Sequence, residues 1–349
     1  MPAVAVVLPT FNRAAWLPEA FAALAEQRFA DFRLVIVDDG STDDTPAVAA
    51  KLIADAPFPA ELIRQPNAGP GAARQAGIDR LLAADPANQD ALRYLAFYDS
   101  DDRWLPHHLA DCVAALDAHP DVDWVFSSVR VVDAASGRTL VPDVFAPADD
   151  AAPPPILACH ADDRDGLRVL NDPAAFAALL AGDNLAGFQV SAIRRGVFAG
   201  AGANEPPPLR IPPLRVGEDL ALTGRALLTG YRLAYLPAVH VEYRVHDDNT
   251  SAVDGQAAWP RRRRSLRRYA AALRYLRRSI DPAARPAEHA LVTEALADLM
   301  FWRLGYHALP LDRRDALRSM RHALSLAPHE PRRWKTYAAA RLLPARRAA

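Results

Sequence analysis

Two short apolar runs, each ending in a knot of aspartates, constrain this chain more than any other feature. Leu34-Val35-Ile36-Val37 runs into Asp38-Asp39-Gly40-Ser41, and Leu95-Ala96-Phe97-Tyr98 runs into Asp99-Ser100-Asp101-Asp102. An apolar run of this length with no alternation reads as a strand buried on both faces. Further strands are expected at 4–8, 61–64 and 124–132, and amphipathic helices between them at 14–27, 45–54, 71–84 and 106–118. The alternation predicts a doubly wound α/β fold: a mostly parallel sheet with helices on both faces. Such sheets bind ligands beyond the C-terminal ends of their strands, and both knots fall there.

Carboxylates packed this closely repel one another. Relief comes from a divalent cation, from the hydroxyls of a ligand or from backbone amides. A helix N-cap needs one carboxylate, which can account for Asp43 or Asp44 but not for Asp99, Asp101 and Asp102 together. In an extended segment Asp99 and Asp101 project to the same side and can address one site. A later acidic pair, Glu218-Asp219, precedes an expected helix at 221–229. The helix dipole alone favours acids there, and a catalytic base would use the same position.

In order along the chain stand Val7-Leu8-Pro9-Thr10-Phe11-Asn12-Arg13, Asp38-Asp39-Gly40-Ser41, Asn67-Ala68-Gly69-Pro70 with Arg74, and Asp99-Ser100-Asp101-Asp102. This ordered set, over roughly the first 105 residues, resembles the signature of the family 2 inverting glycosyltransferases with the GT-A fold. A looser resemblance extends through Glu218-Asp219 to about residue 251. It implies an enzyme that moves a sugar from a nucleotide-diphosphate sugar, a UDP-sugar by preference, to a hydroxyl acceptor. The setting implied is bacterial cell-surface glycan assembly, with a glycan or lipid-linked acceptor and no nucleic acid partner. Pro9, Thr10 and Asn12 would hold the base and ribose, Asp39 would accept from the base beside Asp38, and Gly40 would make the tight turn. Asn67, Gly69 and Arg74 would lie along the diphosphate, Arg74 serving the phosphates or a structural ion pair.

The resemblance further implies Asp101 as the direct ligand of Mn2+ or Mg2+. Asp99 and Ser100 would stand at the donor, and Asp102 would contact the donor sugar or lie behind them. Asp219 is the implied base, with Glu218 as its alternate. His246 completes the metal or diphosphate site or serves structure alone. Phe188, Gln189 and Ser191 fall where acceptors enter such enzymes. The sequence departs from the family in Gln75, where many members carry Asn, and in lacking a QxxRW motif, which argues against a processive synthase. The alternative is a non-catalytic nucleotide-sugar-binding or scaffold module. No acidic position of the signature is missing to support it.

From residue 257 onward there are 21 Lys+Arg against 7 Asp+Glu, a net charge of +14, while the preceding residues carry −15. With helices expected at 261–279, 287–307, 312–326 and 331–343, the boundary is placed near residue 256. A catalytic domain of 1–256, divided at about residue 105 into a nucleotide-sugar half and an acceptor half, then precedes a basic helical extension of 257–349. That basic surface reads either as a solvated face or as a peripheral contact with anionic lipid at the inner membrane face. The start of the chain lacks a basic leader, no stretch of 18 apolar residues occurs, and Cys112 and Cys159 are too few for a disulfide framework or a cysteine-rich zinc site. A cytoplasmic protein is expected.

Overall fold

The computed structural model describes residues 2–83, 91–146, 154–164, 166–170, 174–181, 187–200, 206–246, 249 and 259–342. The chain divides into two compact units, Met1–Asp248 and Asn249–Ala349. The first opens with β1 (Val4–Thr10), α1 (Leu17–Ala25), β2 (Phe32–Asp38), α2 (Thr45–Asp55), β3 (Ala60–Arg64), α3 (Pro70–Ala83) and β4 (Tyr94–Phe97). Next come β5 (Arg103–Trp104), α4 (His108–Ala118), β6 (Trp124–Asp133), β7 (Thr139–Val141), β8 (His160–Arg164) and β9 (Leu167–Leu170). The unit closes with α5 (Ala175–Ala181), β10 (Ser191–Arg194), α6 (Gly196–Ala199), α7 (Glu218–Thr229) and β11 (Leu233–Val245).

One sheet carries the strands in the order β3-β2-β1-β4-β10-β6-β11-β9-β8. The first four run parallel. β10 is antiparallel to both of its neighbours, and β6 then pairs parallel with β11. The mixed, mostly parallel α/β sheet expected from the sequence is present, with β10 inserted at its centre. Val4, Ala5, Val6, Val7 and Leu8 of β1 are all fully buried. Each buried valine or leucine contributes about 1.5–3 kcal/mol, which makes β1 the spine of the unit. Its register sets Thr10 beside Asp38, so the chain leaves β1 and β2 at the same edge of the sheet.

Leu233–Val245 form the single 13-residue strand β11, with Pro237 inside it. It loses register with β6 between Leu236 and Val239 and again between Val239 and Val241, so the proline is absorbed as a bulge. The second unit contains α8 (Trp259–Arg278), α9 (Pro286–Asp298), α10 (Arg313–Leu326) and α11 (Pro331–Leu342). The helix expected to reach residue 307 changes pitch after Asp298 into a π-turn over Leu299–Arg303, and Gly305 follows. Part of the basic charge is spent within this unit: Arg263 meets Asp312 and Asp315, and buried Arg333 meets Glu294 and Asp298. None of the described helices is long and apolar enough to cross a membrane.

Helix α3 packs on β1 and β2 through Gly77. A Cβ there would stand 2.5 Å from Val7 Cγ1 and 3.3 Å from Val37 Cγ2. Both valines are buried and stiff at χ1, so neither can turn away. Alanine at this position would favour the helix by about 1 kcal/mol. We nevertheless expect Gly77→Ala to destabilise by about 1–3 kcal/mol in chemical denaturation, because the contact overpacks the core. An unchanged or raised stability would refute this packing.

Candidate active site

The aspartates at the ends of β2 and β4 have separate tasks. Asp38 is fully buried, accepting from the Ser41 amide at 3.0 Å and from Arg64 Nε at 2.8 Å, so it braces the turn. Asp39 accepts from Gln65 Nε2 at 2.7 Å and from the amides of Ala68 and Gly69 at 2.8 and 2.7 Å. It therefore fixes the segment after β3 against the end of β2. Gly40 takes φ 78, as the tight turn requires. Asn67 is exposed, and its Oδ1 accepts from Arg215 at 2.6 Å. Asn12 adopts φ 52, its amide donating to Ser41 Oγ and its Oδ1 accepting from the Thr42 amide. Pro9 pairs in register with Val37, and buried Thr10 Oγ1 has no hydrogen-bond partner among the described residues. Asp43, not the N-cap residue Asp44, takes the start of α2, accepting from the amide and hydroxyl of Thr45.

Three carboxylates follow β4 within four residues, and each is accommodated differently. Asp99 Oδ1 accepts from Arg74 at 2.5 Å. Asp101 Oδ2 lies 3.1 Å from Arg13 and 3.2 Å from His246 Nε2. Burial would raise its pKa, but the hydrogen bond from His246 and the charge of Arg13 outweigh it and hold the group below the ordinary carboxylate value. Asp102 is buried, with Oδ1 accepting from the Arg244 amide at 3.1 Å and Oδ2 without a partner among the described residues. Burial, reinforced by the charges of Asp101 and Asp99, holds its carboxyl well above the usual range. Ser100 is buried between them. Of the three, Asp101 is the carboxylate that meets side chains from two other segments, Arg13 and His246.

Arg74 links this turn to the distant acidic pair. Its guanidinium is 5% exposed, donates to Glu218 at 2.6 Å as well as to Asp99, and lies 4.6 Å over the ring of Phe188. Burial pushes the Glu218 carboxyl up to about 7, with Asp219 and Asp99 adding to the push and Arg74 pulling against it. The two carboxylates raise the pKa of Arg74 in turn, so the guanidinium stays charged. Asp219 is half-buried in the first turn of α7, and its Oδ1 accepts from the Leu220 amide at 2.7 Å. Of the two acids, Glu218 is occupied by Arg74.

The residues expected at the acceptor are placed less openly. Phe188 is buried beneath Arg74 and packs edge-on against Phe97 at 4.9 Å. Ser191 is buried at the start of β10, donating to the Gly187 carbonyl and accepting from Trp124 Nε1. Both belong to the framework. Gln189 is half-buried, and its carbonyl accepts from Trp104 Nε1.

Arg13 and Arg244 hold the site without having been singled out from the sequence. Arg244 donates to the carbonyls of Asp101 and Asp102, pairs with Glu19 and lies 4.6 Å over Trp16. The signal available was the spacing from Arg244 to His246: two residues apart in an extended segment, they project to one side. Asp101 and His246, 3.2 Å apart, are a carboxylate and an imidazole of the kind that ligate divalent cations, while Asp99 is held by Arg74. A separate cavity of about 290 Å³, lined by Leu157, Arg168, Tyr235 and Pro237 among others, shares no residue with this cluster.

The Arg74 arrangement makes a stability prediction. Arg74→Met leaves two carboxylates facing each other without compensation, and should lower the unfolding free energy by about 3–5 kcal/mol. Arg74→Lys should restore it only in part, because one ammonium does not reproduce the planar fork. Urea unfolding of the three proteins decides the matter, and equal midpoints would show that the triad holds nothing together.

Residues 5–147 match glycosyl transferase family 2. The succinoglycan biosynthesis protein ExoW of Rhizobium meliloti is 33% identical over 135 residues, 38% of this chain and 40% of that protein. The aligned region thus spans about two fifths of the length of the first curated relatives it matches. Among solved structures, S. aureus TarS 1–349 in complex with UDP-GlcNAc superposes with a TM-score of 0.57 at 18% identity, covering 97% of this chain and 87% of that one. The mannosyltransferase PcManGT of Pyrobaculum calidifontis, in complex with GDP-Man and Mn2+, gives 0.52 at 20% identity, covering 97% and 84%. The sheet is therefore that of the GT-A fold, and residues 5–147 are similar to glycosyl transferase family 2.

Proposed function

We propose that the N-terminal unit transfers a sugar from a UDP-sugar to a hydroxyl acceptor with inversion at the anomeric carbon, in assembly of a bacterial surface glycan. One observation carries this reading: a single buried guanidinium, Arg74, bonds both Asp99 of the turn after β4 and Glu218 of the distant α7. The contact brings the aspartate turn after β4 beside an acidic helix start. Bound UDP-GlcNAc in TarS and GDP-Man with Mn2+ in PcManGT supply the donor class and the metal class by analogy.

In this reading the ends of β1 and β2, with Thr10 and Asn12, receive the nucleoside. Asp38 and Asp39 keep the two turns and the 67–69 segment in place around it. Asp101 holds a divalent cation, Mn2+ or Mg2+, with His246 beside it, and Arg13 balances the charge. When bound, the cation supplies Lewis-acid stabilisation of the departing diphosphate. Asp219, in the first turn of α7 beside Glu218, takes the proton from the acceptor hydroxyl as that oxygen attacks. Asp102, sunk beneath the loop, shapes the turn that presents Asp101.

Thermal unfolding with nucleotides tests the reading, since a ligand of the native state stabilises it by mass action. UDP with Mn2+ at about 100 times Kd should add about 2.7 kcal/mol, seen as a rise in Tm. Chelator should remove the effect, and so should Asp101→Ala. A protein indifferent to every nucleoside diphosphate with Mn2+ present would contradict it.

A further inference from the structure

A second group of metal-ligating side chains lies apart from the aspartates. His107 and His108 stand at the start of α4, and Asp111 and Cys112 follow one turn later. His108 and Cys112, four apart, share one face of the helix. His240 arrives from β11 at the irregularity between Val239 and Val241, where a bulge re-aims the side chain. One ligand atom from each of His108, Cys112 and His240 lies within 4.8 Å of the other two. His107, Asp111 and His240 form an overlapping group by the same measure.

The first three residues are 0%, 0% and 1% exposed. His108 Nδ1 is 3.9 Å from Cys112 Sγ, while His108 Nε2 and His240 Nδ1 have no hydrogen-bond partner among the described residues. Ring stacking explains part of this packing, with Trp104 at 4.2 Å from His108 and His107 edge-on to His240 at 4.7 Å. It does not explain two orphaned ring nitrogens, whose burial is costly and which apolar side chains of similar size would avoid.

We propose that His108, Cys112 and His240 form a structural zinc site, separate from the donor site. A thiolate with two imidazoles selects a borderline-soft cation over Mn2+ or Mg2+. The overlapping residues His107 and Asp111 lie on the more open side and can supply or orient a fourth ligand. The thiol proton leaves when the cation binds. The site would tie α4 to β11, which carries Arg244 four residues further on to the carbonyls of Asp101 and Asp102. It would thereby brace the metal-facing turn from behind.

The test uses the full chain, stripped with chelator and titrated with Co2+ as a spectroscopic stand-in for zinc. The expected result is one equivalent of tetrahedral Co2+ with a thiolate charge-transfer band, displaced by Zn2+, and one equivalent of zinc retained through gel filtration. Cys112→Ser should lose the band. Cys159→Ser and Asp101→Asn should keep it. Should Cys112→Ser fail to fold, the wild-type spectrum and zinc content still decide. A folded wild-type protein with neither thiolate band nor retained zinc overturns the proposal, as does a band that survives Cys112→Ser.

Discussion

Arg74 is the interaction on which the arrangement of the site depends. A guanidinium this deeply buried is tolerable only when its charge is met, and here it is met by two carboxylates and the face of an aromatic ring. The partners come from three segments: the turn after β4, the start of α7 and the residues entering β10. Moving any of them leaves a buried charge exposed to a low-dielectric interior, so the three are held in one geometry. The depth of Arg74 follows in turn from the close seat of α3, which Gly77 permits against Val7 and Val37.

The aspartates near this arginine share a sequence context but not an environment. Asp99 is tied to Arg74, and Asp102 is sunk below the loop with a raised pKa. Asp101 is stabilised in its charged form by Arg13 and His246. Like charges cannot all remain ionised and unpaired at such spacing, and the protein separates them by partner and burial. Asp38 and Asp39 show the same economy: both sit at the end of one strand, and both are committed to holding turns. In our reading the chemistry then falls to Asp101 on one side and to Asp219 on the other.

Much of this was legible in the chain. Continuous apolar runs marked β1, β2 and β4, because a strand buried on both faces leaves no polar alternation to confuse with a helix. The aspartate knots at their ends marked the ligand edge for a topological reason. What escaped was non-local. β10 is four residues long, and its place between β4 and β6 is set by partners far away in sequence. The β8–β9 hairpin is short, charged and at the edge of the sheet, so no apolar run announces it. Phe188 and Ser191 were expected near an acceptor, but their neighbours Arg74 and Trp124 bury them. Likewise, His240 in a bulge opposite His108 and Cys112 cannot be foreseen from spacing along the chain.

In the proposed reading the turn after β4 and a base on α7 act together, and Asp219→Asn probes that union most directly. Nucleotide affinity in Mn2+ and the rate of sugar transfer from a UDP-sugar would be measured on the same protein. The account predicts affinity within about twofold of the parent chain and a transfer rate lower by about 10²–10⁴-fold, the usual contribution of a positioned general base. Transfer at the parental rate, with the nucleotide still bound, would contradict it.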